Sequence, residues 1–175
     1  MMRPARLATT TTFLTALASS AFAQDTQSLA REAKNPFADL VNLQLFYDAN
    51  LGVAPADNTQ QVLTVQPLVP FNLNSDWIVL TRTILPFMTQ PGSAAGERWS
   101  QGMGDTQFTA LVSPARVGSL DWGIGTALQL PTATSEPLGQ GKWGAGPAAG
   151  MQWTGKQWTL SALILNIWSF AGDAN

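Results

Sequence analysis

Few residues in this chain have the types and spacing to do chemistry. Residues 139–144 read Gly-Gln-Gly-Lys-Trp-Gly, the spacing G-x-G-x-x-G. In a nucleotide-binding fold such glycines turn the chain tightly and bring backbone close to a pyrophosphate at a helix N-terminus. The motif needs a strand before it, a helix opening on its last glycine, and an acidic residue about 20 positions on. Here Thr-Ala-Thr-Ser-Glu-Pro precedes it, Gly146 and Pro147 stand where the helix would run, and the later positions read Ala-Leu-Ile-Leu-Asn. Gly144, Gly146 and Gly150 alternate instead, as on one crowded face of a strand. Hydrolytic chemistry fares no better. Ser100, Ser113 and Ser161 are possible nucleophiles and Lys142 and Lys156 possible bases, without a motif that pairs them. Asp105 and Asp121 stand singly, not as a carboxylate pair. Histidine and cysteine are both absent. That excludes disulfides, thiolate or imidazole metal sites, and Ser–His or Cys–His catalysis. The expectation is a protein that is not an enzyme, with no catalytic residues, no cofactor and no metal.

The composition suggests where such a chain works. Charged residues make up only 11% of its 175 residues, against about 25% in typical soluble domains. Mean hydropathy is only +0.04, because Thr, Ser, Gln and Asn supply the polarity. Seven Trp stand against one Tyr. There is no basic run and the net charge is −2, so nucleic acid is not an expected partner.

The N-terminus predicts a signal peptide over residues 1–23. Arg3 and Arg6 form a basic start, an apolar, threonine-rich stretch follows, and Ala21 and Ala23 fit a small-residue cleavage site. Cleavage leaves seven basic and eleven acidic residues, a net charge of −4. No later run approaches the ~18 apolar residues of a spanning helix. Residues 24–41 form a second segment. Leu29, Ala30, Ala33 and Phe37 have helical spacing and Pro36 limits it, which suggests a short periplasmic helical arm, with a mobile N-terminus as the alternative.

From residue 42 the period becomes two. Leu43, Leu45, Tyr47, Ala49, Leu51 and Val53 fall on one face of a long strand. Further strands are predicted near 60–71, 77–88, 104–114, 120–131, 143–154 and 157–170. Each is near the ~9–11 residues with which a tilted strand crosses a bilayer. The connections alternate between short (72–76, 115–119, 155–157) and longer (54–59, 89–103, 132–142). That is the pattern of an outer-membrane barrel with short periplasmic turns.

Aromatic placement sharpens this. Trp77 and Phe87, Trp143 and Trp153, and Trp158 and Trp168 are each ten residues apart. An even spacing keeps both members of a pair on one strand face. Ten residues span about 33 Å, or about 23 Å along the membrane normal at a tilt of ~45°, close to the ~25 Å between two aromatic girdles. Trp77, Trp153 and Trp158, with Phe71 and Trp122, are expected at the periplasmic interface, and Phe87, Trp143 and Trp168 at the outer one. On the opposite face, Gln66, Arg82, Asp105, Gln107, Thr109, Gln129 and Gln152 are the expected lumen lining. Arg82 and Asp105 are the candidate selectivity groups; alternatively, these side chains satisfy one another as a plug. Ile78, Leu80, Ile84 and Pro86 share the face of Arg82, so that part of the lining is not polar.

The stretches Thr81–Pro91, Leu130–Ala149 and Leu163–Asp173 resemble a bacterial family of outer-membrane β-barrels. Its members carry labels as transporters, as proteins of the meta pathway of phenol degradation, or, misleadingly, as neuromedin U. The resemblance covers roughly residues 35–174, with 130–147 its most specific part. It implies a signal peptide, an outer-membrane barrel, and passage of small, including aromatic, compounds. It supplies no catalytic residues. The expected fold is all-β: an antiparallel up-and-down transmembrane barrel domain over 42–175. The partners expected are outer-membrane lipid, the barrel-insertion machinery and a small solute, with oligomeric state open. Seven strands is an odd number, and members of the family continue beyond Ser-Phe-Ala-Gly-Asp. The expectation is therefore a partial barrel, an open curved sheet. The alternatives are an anchoring barrel without an open pore and a soluble periplasmic β-rich binding domain.

Overall fold

The computed structural model describes residues 41–53, 57–92, 98–115, 118–155 and 158–172. The expected signal peptide and nearly all of the helical arm lie outside them. Among the described residues, nine strands form one antiparallel sheet: β1 (Asn42–Val53), β2 (Asn58–Asn72), β3 (Trp77–Gln90), β4 (Ser100–Met103), β5 (Thr106–Pro114), β6 (Leu120–Leu130), β7 (Lys142–Thr154), β8 (Thr159–Leu165) and β9 (Trp168–Gly172). The order is β1-β2-β3-β5-β6-β7-β8, with β4 pairing β3 and β9 pairing β7. β4 and β5 are thus two parts of one strand along β3, and β8 and β9 two parts of one strand along β7. The result is a seven-stranded meander curled into an open half-barrel, and β1 and β8 are its unpaired edges among the described residues.

Two strand boundaries differ from the expectation. Residues 89–103 read as loop, yet β3 extends to Gln90, and β4 pairs Ser100–Met103 with Phe87–Gln90. Ser-Gln-Gly-Met has no apolar alternation, so its partner and not its own pattern makes it a strand. Residues 157–170 read as one strand, yet it breaks at Asn166–Ile167. There the Asn166 N–H donates to the Pro147 carbonyl. A Cβ at Gly146 would run into the Asn166 carbonyl oxygen, so this close approach requires glycine.

Directly opposed residues share a face, so the registers sort the sheet into two. One face carries Gln66, Leu68, Ile78, Leu80, Arg82, Thr109, Leu111, Ser113, Asp121, Ala127, Ala148 and Gln152. All of these but Arg82 are buried, so this is the concave, inner face. The other carries Phe71, Trp77, Phe87, Trp122, Ile124, Trp143, Met151, Trp153, Leu160 and Ile164, all exposed. The usual soluble arrangement is inverted.

The inner face is not uniformly polar. Ile78 and Leu80 are 1% and 5% exposed, and Leu80 lies opposite Leu111. Leu111, Ala127 and Ala148 form a buried cluster against which Leu165 and Ile167 pack. This accounts for the apolar residues that share a face with Arg82. The sheet curls enough for leucines of its own two halves to shield them from water.

Connections at one end are all short, and two of the three at the other are long; the third, 54–57, has only four residues, because β1 and β2 extend to it. At one end are residues 73–76, 115–119 and 155–158; at the other, 54–57, 91–99 and 131–141. The first short turn is held by Asn74, whose Oδ1 accepts the N–H groups of Asp76 and Trp77, both at 2.9 Å. This Asx turn explains why Asn-Ser-Asp suffices to reverse the chain.

Candidate functional site on the inner face

Six of the seven expected lining residues sit within strands, on the inner face. Arg82 stands opposite Leu68 and Thr109, Gln107 opposite Gln129, and Gln152 between Asp121 and Ser161. Arg82 donates to Gln66 Oε1 from Nε at 3.1 Å and from Nη2 at 2.7 Å. Ser161 Oγ donates to Gln152 Oε1 at 3.0 Å. Thr109 is 2% exposed, and its Oγ1 has no hydrogen-bond partner among the described residues.

Arg82 and Thr109 border a cavity of about 270 Å³. Leu68, Leu80 and Leu111 supply one wall; Gly150, Ser161 and Leu163, across the curl, supply the other. A cation, leucines and a threonine whose hydroxyl is buried thus line one space.

Asp105 has a different place. It lies between β4 and β5, and its carboxylate accepts the Ala133 N–H at 3.2 Å and the Gln140 N–H at 2.6 Å. It therefore fastens both ends of the 131–141 loop. Thr132 and Thr134 extend the clamp. Thr132 Oγ1 accepts the Thr106 N–H at 2.9 Å, and the Thr134 N–H donates to the Met103 carbonyl at 2.9 Å. A 3-10 turn, Glu136–Leu138, buries Leu138. A Cβ at Gly104 would touch Met88, Pro86 and the Leu138 carbonyl together. Met88 and Pro86 lie on the inner face, so the loop folds over that face at the long-loop end.

The G-x-G-x-x-G stretch belongs to this clamp. A Cβ at Gly139 would collide with Ala133 and with the Asp105 carboxylate, whose Oδ1 lies 2.6 Å from it. Gly141 has φ +64°, which favours glycine. At Gly144, inside β7, Ile167 Cγ2 would lie 2.6 Å from a Cβ. Gly139 and Gly144 are explained by packing and Gly141 by its backbone conformation. Two of the three possible nucleophiles are engaged: Ser113 Oγ donates to the Pro114 carbonyl and Ser161 Oγ to Gln152 Oε1; Ser100 lies in β4, at the long-loop end. Lys156 lies outside the described residues. No cluster that could hold a metal ion occurs among the described residues.

The outer face complements this. Phe71, Trp77, Trp122 and Trp153 lie at the short-turn end, next to the turn that carries Trp158. Phe87, Trp143 and Trp168 lie at the long-loop end. The strands contain four charged residues, Asp48, Arg82, Asp121 and Lys142. Their registers put all four on the inner face. No helix among the described residues is long and apolar enough to cross a membrane, which says nothing about crossing by strands.

No curated protein and no solved structure matches the chain. A family model does, over residues 46–170, from within β1 into β9, and on that span the chain belongs to the family described as "Putative MetA-pathway of phenol degradation".

Proposed function

We propose that this is an outer-membrane β-barrel protein whose inner face provides a route for small solutes. One observation carries the proposal: every charged strand residue faces inward, while the outer face is uncharged and ends in two rows of aromatics. A charge on the lipid face at mid-membrane costs about 2–4 kcal/mol, whereas a soluble sheet gains from charges on its exposed face. Aromatic rows at both ends are what two membrane interfaces select. The inner face mixes glutamines and threonines with leucines, which suits solutes that have an apolar body. The family's description links it to phenol breakdown, consistent with a small aromatic solute.

A second reading, an anchoring barrel without an open pore, is favoured by the leucine filling and by the loop folded over one end. Planar-bilayer recording of the full chain separates the two. Stepwise conductance is expected if solutes pass. A chain that inserts but neither conducts nor releases solute from liposomes would favour the anchor. Extraction from membranes without detergent would instead point to a soluble periplasmic domain.

A further inference from the structure

The Arg82 cavity joins three features that a merely structural interior would not keep together. The first is an uncompensated cation. Among the described residues, the only acceptor Arg82 meets is the neutral Gln66 Oε1, and no carboxylate lies within ion-pair distance. A guanidinium has five N–H donors, and Gln66 engages two, so both Nη1 hydrogens and one on Nη2 remain. A partly buried charge without a counter-charge is costly. The second feature is Thr109, directly opposite Arg82 in the register. The residue borders the cavity, and its buried hydroxyl has no partner among the described residues. A buried unsatisfied polar group is costly, a cost removed by a bound acceptor. The third is the apolar wall of Leu68, Leu80, Leu111 and Leu163, which a free inorganic ion would not need.

Size completes the argument. A cavity of about 150 Å³ holds one benzene, so 270 Å³ admits a single ring and one polar substituent. We infer that this cavity binds a small organic anion: a carboxylate on an apolar body of about one ring. Arg82 holds the carboxylate, Gln66 fixes the guanidinium, Thr109 donates its hydroxyl, and the leucines enclose the ring. The inference rests on the inner face being accessible to solutes, as proposed above. It adds that the preferred solute is charged, and not a neutral phenol.

The test is calorimetric titration of the full chain in a non-ionic detergent with three probes: benzoate, benzamide and acetate. Benzamide keeps the ring without the charge; acetate keeps the charge without the ring. Benzoate is expected to bind at least about tenfold more tightly than either, since a charge-assisted hydrogen bond and the buried ring each supply that much. Arg82→Gln should lose about tenfold for benzoate and erase its advantage over benzamide. The isosteric Thr109→Val should lose a few-fold and, having no buried hydroxyl to satisfy, should fold at least as well. If Arg82→Gln does not fold, the probe series and Thr109→Val still decide. Equal binding of benzoate and benzamide, no benzoate binding by folded protein, or unchanged affinity in Thr109→Val would each overturn the site. Benzoate binding without bilayer conductance would remove the solute route and keep the site. Conductance without benzoate binding would do the reverse.

Discussion

The inner faces of the two halves of this sheet solve the same packing problem in opposite ways. Along β2, β3 and β5 the inward positions carry bulk: Leu68, Ile78, Leu80, Arg82 and Leu111. Along the middle of β6 and β7, between Asp121 and Gln129 and between Lys142 and Gln152, they carry almost none: Gly123, Gly125, Ala127, Gly144, Gly146, Ala148 and Gly150. Side chains fill the space in the first half, and backbone fills it in the second. A Cβ at Gly125 would strike the Ala110 carbonyl, and one at Gly146 the Asn166 carbonyl. The difference teaches that the small residues are not there to leave a wide channel. They let the chain approach itself closely, while the leucines opposite them set the size of the remaining cavity.

The comparison breaks most clearly at those two glycines. Gly125→Ala and Gly146→Ala each put a methyl against backbone that cannot rotate away, and should cost about 3 kcal/mol. Loss of the compact, heat-modifiable form on unheated gels, with a lowered urea midpoint, would register it. Gly118→Ala, whose nearest atom would lie at 3.9 Å, should stay within about 0.5 kcal/mol. Leu80→Ala tests the other half, with an expected cost of about 2–3 kcal/mol. The double variant sharpens the contrast: Leu80→Ala should not rescue Gly146→Ala, since the collision is with backbone. A rescue would mean that the halves interlock through side chains after all.

The loop clamp has a smaller expected effect. Asp105→Ala frees the Ala133 and Gln140 amides, at a cost of about 1–2 kcal/mol. Protease should then cut within 131–141 sooner than in the parent, with Asp105→Asn intermediate. Unchanged cleavage would mean that the threonine bonds hold the loop without the carboxylate. The smallest effects belong to the outer wall. Replacing Trp143 or Trp153 by Phe should change stability by less than about 1 kcal/mol. In lipid, depth-dependent quenching of single-Trp variants should give two mirrored clusters, with Trp77, Trp122, Trp153 and Trp158 in one and Trp143 and Trp168 in the other. One shared depth would contradict the two-girdle proposal.

The sequence foretold the two faces better than it foretold what the inner one contains. Period-two alternation in Asn42–Val53 and in β7 gives strand and facing together, because a strand has only two sides. Where both sides are apolar, as in Ile78-Val79-Leu80, the alternation alone gives no facing; Trp77 and Arg82 supply it, and the pairing of Leu80 with Leu111 agrees. Arg82 and Thr109 were legible as facing the same way but not as edges of one cavity, since its other wall comes from β7 and β8. Of Asp105, only the strand alternation around it was legible. Its loop contacts were not, because they join it to backbone amides 28 and 35 residues away. The close glycines 139–144 were the visible trace of that contact, in a form that mimics another motif.

The two interrupted strands bear on how this architecture tolerates change in length. In a meander every strand takes its facing from the one before. Parity is therefore inherited: deleting one residue inside β2 would turn the rest of that strand inside out, moving Arg82's neighbour Gln66 to the outer wall. Between β4 and β5 the pairing with β3 slips by one residue, from Phe87 opposite Met103 to Ile84 opposite Gln107. A slip also occurs where β9 runs along β7, at Trp143–Gly144. Both lie in the long-loop half of the sheet, away from the Arg82 cavity. With the shift between Asn50 and Val53 in β1, they mark positions where a single residue can be gained or lost, in this chain or its relatives, without exchanging the apolar wall for the charged one.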